Sequence, residues 1–463
     1  MKSLLVRMAV YVGIFLLVVG GSGLLGFISE QKAYWYAIRN EPISAIQNIE
    51  IPEHDPNKPT AAVILGSPTT EVFDFVVPYQ MLAMTEAYNV YAVAPTKNMT
   101  SLTGGLDLVP HYSFEEMDQL LGASPDLIVI PYMPLGDQEK YKPVREWIQK
   151  HSETFLLSIC GGAINLADTG LLQGKSSTIH WQFFDQTTRA FPETNWIRDQ
   201  RFVVGGENMV SSAGLTSGID ATLYVISQQL GESVAEKIAN ELNYPSYHFV
   251  KNPKVDPYYI DLSENVYLFN QAFQWNQKQT GVLLYDGMDE GELSSIYDTY
   301  AASGTTKVIS LSHSEQPIVT KHHLNLIAKY PVGNAPELDR VIVPGTDAKS
   351  LAEKVVQEWT EKGNGVVPEF LHHDSADRFM FDAPLEDLSK QEDVLTAIYG
   401  AKRLEYRADY LKFEGNPFSI ESFGVPLLLT AVALLMAFFI DRRFITKKIL
   451  GSGRAANNWR KIR

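Results

Sequence analysis

The chain has 463 residues, 45% hydrophobic and 20% charged, a composition of packed globular domains rather than of disorder. A net charge of −15 at pH 7 argues against a nucleic-acid binder, which needs a basic surface to displace counterions. The length suits about two or three domains.

The charge is unevenly spread. Lys2 and Arg7 lie in the first seven residues, and 441–463 hold eight Lys/Arg and one Asp. Residues 8–28 carry no charge over 21 positions, and 423–440 are an uncharged run of 18. At a rise of ~1.5 Å per residue, each run approaches the ~30 Å hydrocarbon core of a bilayer. Residues 1–29 therefore read as a transmembrane anchor, 423–440 as a second transmembrane helix and 441–463 as a basic tail. The basic flanks place both termini in the cytoplasm and the middle of the chain, about residues 30–422, on the far side of the cell membrane. A cleaved signal peptide is the competing reading of 1–29, against which stand the length of the run and the lack of a small-x-small cleavage site. Cys160 is the sole cysteine, so no internal disulfide holds the exported part.

In chain order, 30–59 contain four prolines and no long apolar period, and read as a linker. AAVILG (61–66) predicts a buried strand and FDFVVPYQMLAM (73–84) a helix despite Pro78. NVYAVAP (89–95), DLIVIP (126–131) and TFLLSI (154–159) predict further strands, with KYKPVREWIQKH (140–151) as a helix. Strands alternating with helices imply a parallel sheet covered on both faces, an α/β sandwich of flavodoxin-like type. After residue 250 the pattern begins again. TGVLLYDGMDEGELSSIYDTY (280–300) echoes 61–81, DRVIVPG (339–345) echoes DLIVIPY (126–132), and 393–406 echo 232–244. Three echoes in one order predict two tandem lobes, 60–250 and a shortened 275–412 that lacks the cysteine segment.

Cys160 follows the strand TFLLSI and precedes Gly161, Gly162 and a helical stretch ending at Gly170. This is a strand-to-helix turn, which exposes a side chain above the carboxyl edge of the sheet. N–H groups at the helix start favour a thiolate and an oxyanion. The alternative is an inert cysteine packed as a small hydrophobe.

SICGGAINLADTGLLQGKSSTIHW (158–181) and VSSAGLTSGIDATLYVI (210–226) resemble the Cys-Gly/Thr-Gly-Ala turn and the S-S-A-G…G-I-D segment of the DJ-1/PfpI (ThiJ/PfpI) family, over about residues 60–250. The resemblance implies a class I glutamine amidotransferase-like fold and no cofactor. It implies Cys160 as nucleophile, Asp74 as the acidic partner from the first strand–helix loop, and His180 as a proton shuttle. It also implies Gly161, Gly162, Tyr132 and Met133 around a small ligand, with N–H groups of Gly161 and of the 132–133 loop as oxyanion donors. For Asp74 a helix cap, and for His180 a structural hydrogen bonder, are the plainer alternatives. Gly161 stands where protease-like members carry histidine and isonitrile hydratase relatives threonine. IPYMPLG replaces the family's Pro-Gly-Gly loop.

The adjacent pairs His322–His323 and His372–His373 point apart on regular structure, and no metal site is expected. The leading expectation is a membrane-anchored protein that binds or senses a small molecule or oxidant through Cys160, in contact with membrane lipid and a membrane protein partner. A cysteine-dependent hydrolase, hydratase or lyase is the alternative, and an inactive scaffold the third.

Overall fold

The computed structural model describes residues 2–39, 45–66 and 68–446. Residues 447–463, most of the expected basic tail, lie outside the described residues.

The strand Thr60–Ile64 sits inside a seven-stranded sheet in the order Phe202–Gly206, Met209–Ser212, Phe155–Ser158, Leu127–Ile130, Thr60–Ile64, Asn89–Ala94, Tyr112–Ser113. Neighbours run parallel except the first pair. Strand periodicity divides its residues between two cores. Ala61, Val63 and Leu65 pack with the helices Val72–Met84 and Leu215–Leu230, and Ala62 and Ile64 pack with Phe114, Trp147 and Ile148. Both faces are covered, which is why these strands are apolar throughout.

A second, five-stranded sheet runs Tyr330–Pro331, Thr306–Ser312, Lys278–Leu283, Arg340–Ile342, Pro368–Glu369, parallel throughout. Its order around the central strand matches that of the first sheet. Asp126 Oδ2 accepts from Thr60 N at 2.8 Å, and Asp339 Oδ2 accepts from Gln279 N at 2.8 Å, so each central strand is pinned at its start by an aspartate of the neighbouring strand. A third sheet draws on both halves of the chain, in the order Ile318–Val319, Asn325–Ile327, Asp107–Val109, Thr100–Leu102, Thr69–Thr70.

The two lobes share one apolar core, in which Val72–Met84 lies against the helix Glu290–Tyr300. Tyr79 Oη donates to His322 O at 2.6 Å, and Gln80 Nε2 donates to Asp289 Oδ2 at 2.8 Å. Residues 47–52 are tied down: Glu50 N donates to Asn325 Oδ1 at 2.8 Å and Asn325 Nδ2 to Glu50 O at 2.7 Å.

Among the described residues, two helices are long and apolar enough to cross a membrane, Leu4–Trp35 and Ile420–Thr446. The first runs to Trp35, past the expected boundary at 29, because its end is gripped by the helix Leu262–Phe273. A Cβ at Gly26 would stand 2.1 Å from Ala272 O, so only glycine permits this approach. At the other end the two long helices pack together, with Arg7 Nε 3.2 Å from Asp441 Oδ1.

Candidate functional site around Cys160

The strand Phe155–Ser158 delivers Cys160 to a turn that forces its φ to +53°, a conformation uncommon outside glycine. Its N–H donates to Ser212 Oγ at 3.1 Å, and the helix Gly162–Asp168 follows. Both glycines are required by contact. A Cβ at Gly162 would lie 2.0 Å from Ile130 O, and one at Gly161 would lie 2.5 Å from Cγ and Cδ2 of Tyr132. Tyr132 thus lies directly over the turn, and Gly161 is the residue that fits beneath it. Gly161→Ala is expected to destabilise the protein by about 1–3 kcal/mol, the usual cost of overpacking. Denaturant unfolding checks this, and the penalty should shrink in a Tyr132→Ala background.

Cys160 is 4% exposed. Burial pushes its thiol well above the usual range, the Asp74, Glu71 and Glu405 carboxyls push the same way, and the Gly161 N–H opposes them. The expected low-pKa, accessible thiolate is therefore corrected to a covered neutral thiol. The reason is that three acids and desolvation outweigh one N–H of a short helix.

Glu71 caps the helix Val72–Met84, its Oε2 accepting from Asp74 N at 2.8 Å. Asp74 is therefore not the cap. Its Oδ2 accepts from Tyr132 N at 3.3 Å, and its carboxyl interacts with the Cys160 side chain. Burial above all holds the Asp74 carboxyl well above the ordinary range, which favours the protonated acid.

The expected oxyanion donors of the 132–133 loop are engaged: Tyr132 N by Asp74, and Met133 N by Asn165 Oδ1 at 3.0 Å. His180 makes no hydrogen bond to Cys160. Its Nε2 donates to Arg403 O at 2.9 Å, Nδ1 accepts from Gln182 N at 3.4 Å, and burial lowers its pKa.

Four partners gave no sequence signal, because they arrive from distant segments. Arg403 lies between the lobes. Its Nη1 donates to Asp298 Oδ1 at 2.9 Å and its Nη2 to Tyr34 Oη at 2.8 Å and Glu71 Oε1 at 3.4 Å. Tyr34 comes from the N-terminal helix and Asp298 from Glu290–Tyr300. Glu405 accepts at Oε2 from Gly214 N at 2.8 Å and from Ser217 Oγ at 2.6 Å, capping Leu215–Leu230 from the second lobe. Glu71, three residues before Asp74, likewise gave no sequence signal for its place beside the cysteine.

The second lobe holds a similar arrangement without the cysteine. Asp289 caps Glu290–Tyr300, and Glu292 Oε2 accepts from Thr346 N at 3.0 Å, as Asp74 accepts from Tyr132 N. Ile128 pairs with Leu156, four residues before Cys160, and Val341 pairs with Pro368, four residues before His372. His372 Nδ1 accepts from Gly345 N at 3.2 Å, and burial lowers its pKa to about 4. Among the described residues no three His, Cys, Asp or Glu side chains gather as a metal-ligand group.

Residues 59–228 match the model of the DJ-1/PfpI family. The chain is 29% identical over 184 residues to an isonitrile hydratase of Pseudomonas putida, covering 38% of this chain and 75% of that protein. It is 30% identical over 98 residues to the HTH-type transcriptional regulator CdhR of Pseudomonas aeruginosa, covering 21% of this chain and 29% of the regulator. Among solved structures, a ThiJ/PfpI family protein from Pseudomonas syringae is 21% identical, with 42% of this chain and 82% of that one covered and a TM-score of 0.36. Oxidized DJ-1 of Toxoplasma gondii is 19% identical, with 40% and 99% covered and a TM-score of 0.34. With a cysteine on a strained strand–helix turn, an acid from the first turn of the helix Val72–Met84 beside it, and the match over 59–228, that stretch of the chain is a domain of the DJ-1/PfpI family.

Proposed function

We propose that this is a two-pass membrane protein, both termini cytoplasmic, whose exported first lobe binds or senses a small molecule or oxidant through Cys160. The observation that carries this reading is the covered elbow. Cys160 is held in a strained conformation, supported by Asp74, and roofed by Tyr132, whose ring meets Trp35 of the N-terminal helix at 5.2 Å and 85°. Cover and strain suit a site that reports its own opening better than one that turns over continuously. The second lobe is a diverged copy that stands where a partner subunit would, supplying Arg403 and Glu405.

The test is alkylation of Cys160 in the full chain, with Cys160→Ser as the blank. The wild type is expected to react slowly and Tyr132→Ala at least ~10-fold faster, because reaction then no longer waits for local opening. Equal, slow rates in both would remove Tyr132 as the cover and return Cys160 to an inert core position.

The similarity to the Pseudomonas putida isonitrile hydratase supports a second reading, a cysteine-dependent hydratase acting on a small molecule. Turnover of isonitriles by the wild type, lost in Cys160→Ser, would establish it over sensing alone.

A further inference from the structure

A cavity of about 370 Å³ lies between the N-terminal helix and the roof of the Cys160 turn. Phe27, Ile28, Lys32 and Trp35 form one wall, and Tyr132 and Phe183 belong to the other. The walls are apolar and aromatic, and Lys32 is the only charged residue on them. Ile28 and Tyr36 are each 43% exposed, so the cavity opens to its surroundings. Its position is unusual. Phe27 and Ile28 end the uncharged run 8–28, and Trp35 and Tyr36 follow within two turns. Aromatic rings and a lysine just beyond an apolar span mark the water interface of a bilayer.

The cavity also shares a wall with the functional site. Tyr132 packs on Phe183 at 5.2 Å and on Trp35 at 5.2 Å, and the same ring covers Gly161. An occupant here meets Tyr132, which also packs over Gly161 beside Cys160.

We propose that this cavity binds a single-chain anionic amphiphile, such as a fatty acid, drawn from the bilayer, with its chain among Phe27, Ile28, Trp35 and Phe183 and its acid at Lys32. The proposal deepens the sensing reading and rests on its two-pass topology: the small molecule sensed is lipophilic and arrives along the helix rather than from bulk water. Binding shifts Tyr132 and uncovers the thiol. The volume suits part of one alkyl chain and not the paired chains of a phospholipid. The lysine selects an anion, as a basic residue near a bilayer surface does.

The test uses the full chain in phosphatidylcholine nanodiscs with a diazirine-bearing palmitate, the crosslinks being mapped by mass spectrometry. Crosslinks at 132–134 and 183 are expected, competed by unlabelled palmitate and reduced about tenfold in Lys32→Glu. Crosslinks confined to 8–26 and 423–440 would overturn the cavity as a site. An unchanged yield in Lys32→Glu would overturn the choice of an anion. Equal labelling of these loops by a diazirine phosphatidylcholine would overturn the single chain. Cys160 alkylation, measured in parallel with and without palmitate, reads the sensing function separately. Crosslinking with no change in alkylation keeps the cavity and removes sensing, whereas faster alkylation without crosslinking removes the cavity.

Discussion

Arg403→Met is expected to cost about 3–5 kcal/mol of folding stability, the range for breaking a buried ion pair from one side. Arg403 is 8% exposed, and its guanidinium is bonded to Asp298, Tyr34 and Glu71. Without it the carboxyls of Glu71, Asp74 and Asp298 remain together in a low-dielectric interior. Two of them, Glu71 and Asp74, are held well above their ordinary range mainly by burial, and Arg403 is the cation that restrains the rise. Denaturant unfolding of the full chain in detergent measures the loss. Glu71→Gln should restore part of it, because the amide keeps its shape and cannot ionise beside Asp74 and Asp298, so the pair should be non-additive. A loss under about 1 kcal/mol would mean that the cluster is solvated or neutral in solution.

The second large effect depends on pH. Burial, followed by the nearby Asp289, pushes the Glu292 carboxyl up to about 8, while two hydrogen bonds from Thr346 oppose the rise. A carboxyl raised in the folded state binds its proton more tightly there than in the unfolded chain. Its stabilisation is complete below its ordinary value of 4.5 and is lost as pH rises toward about 8. Each pH unit inside that window costs about 1.4 kcal/mol. Glu292→Gln cannot ionise and can still accept from Thr346 N. The variant should match the wild type near pH 4 and exceed it by about 4 kcal/mol near pH 8. Stability measured at both values decides it, and a difference that ignores pH would show that Glu292 keeps an ordinary pKa.

What the sequence made legible follows the range of the interactions. The elbow was readable because its parts are neighbours: a strand, a cysteine and two glycines within a few residues. Asp74 was readable through the resemblance, since a loop after the first strand has one place to go in a parallel sheet. The state of the thiol was not readable. It depends on Glu405 and on the roof formed by Tyr132, both set by packing between segments far apart in the chain. His180 misled for the same reason. Its spacing from Cys160 suits a shuttle, but the carbonyl that claims its Nε2 belongs to Arg403. The linker misled through its prolines, which mark extended backbone without saying whether it is free. Here it is bonded to Asn325.

The sheet built from both halves has a consequence for how the molecule is made. Asp107–Val109 acquires its second neighbour only when Asn325–Ile327 arrives, and His111 Nε2 reaches His323 O at 2.8 Å across 212 residues of chain. Until then the first lobe keeps an unpaired strand edge and part of its apolar surface uncovered. The nascent polypeptide has no complete intermediate at which to pause, and its long-range closure makes assembly slow and exposed to mispairing. A truncation after residue 250, though it keeps the whole of the family match over 59–228, should aggregate rather than yield a small soluble relative.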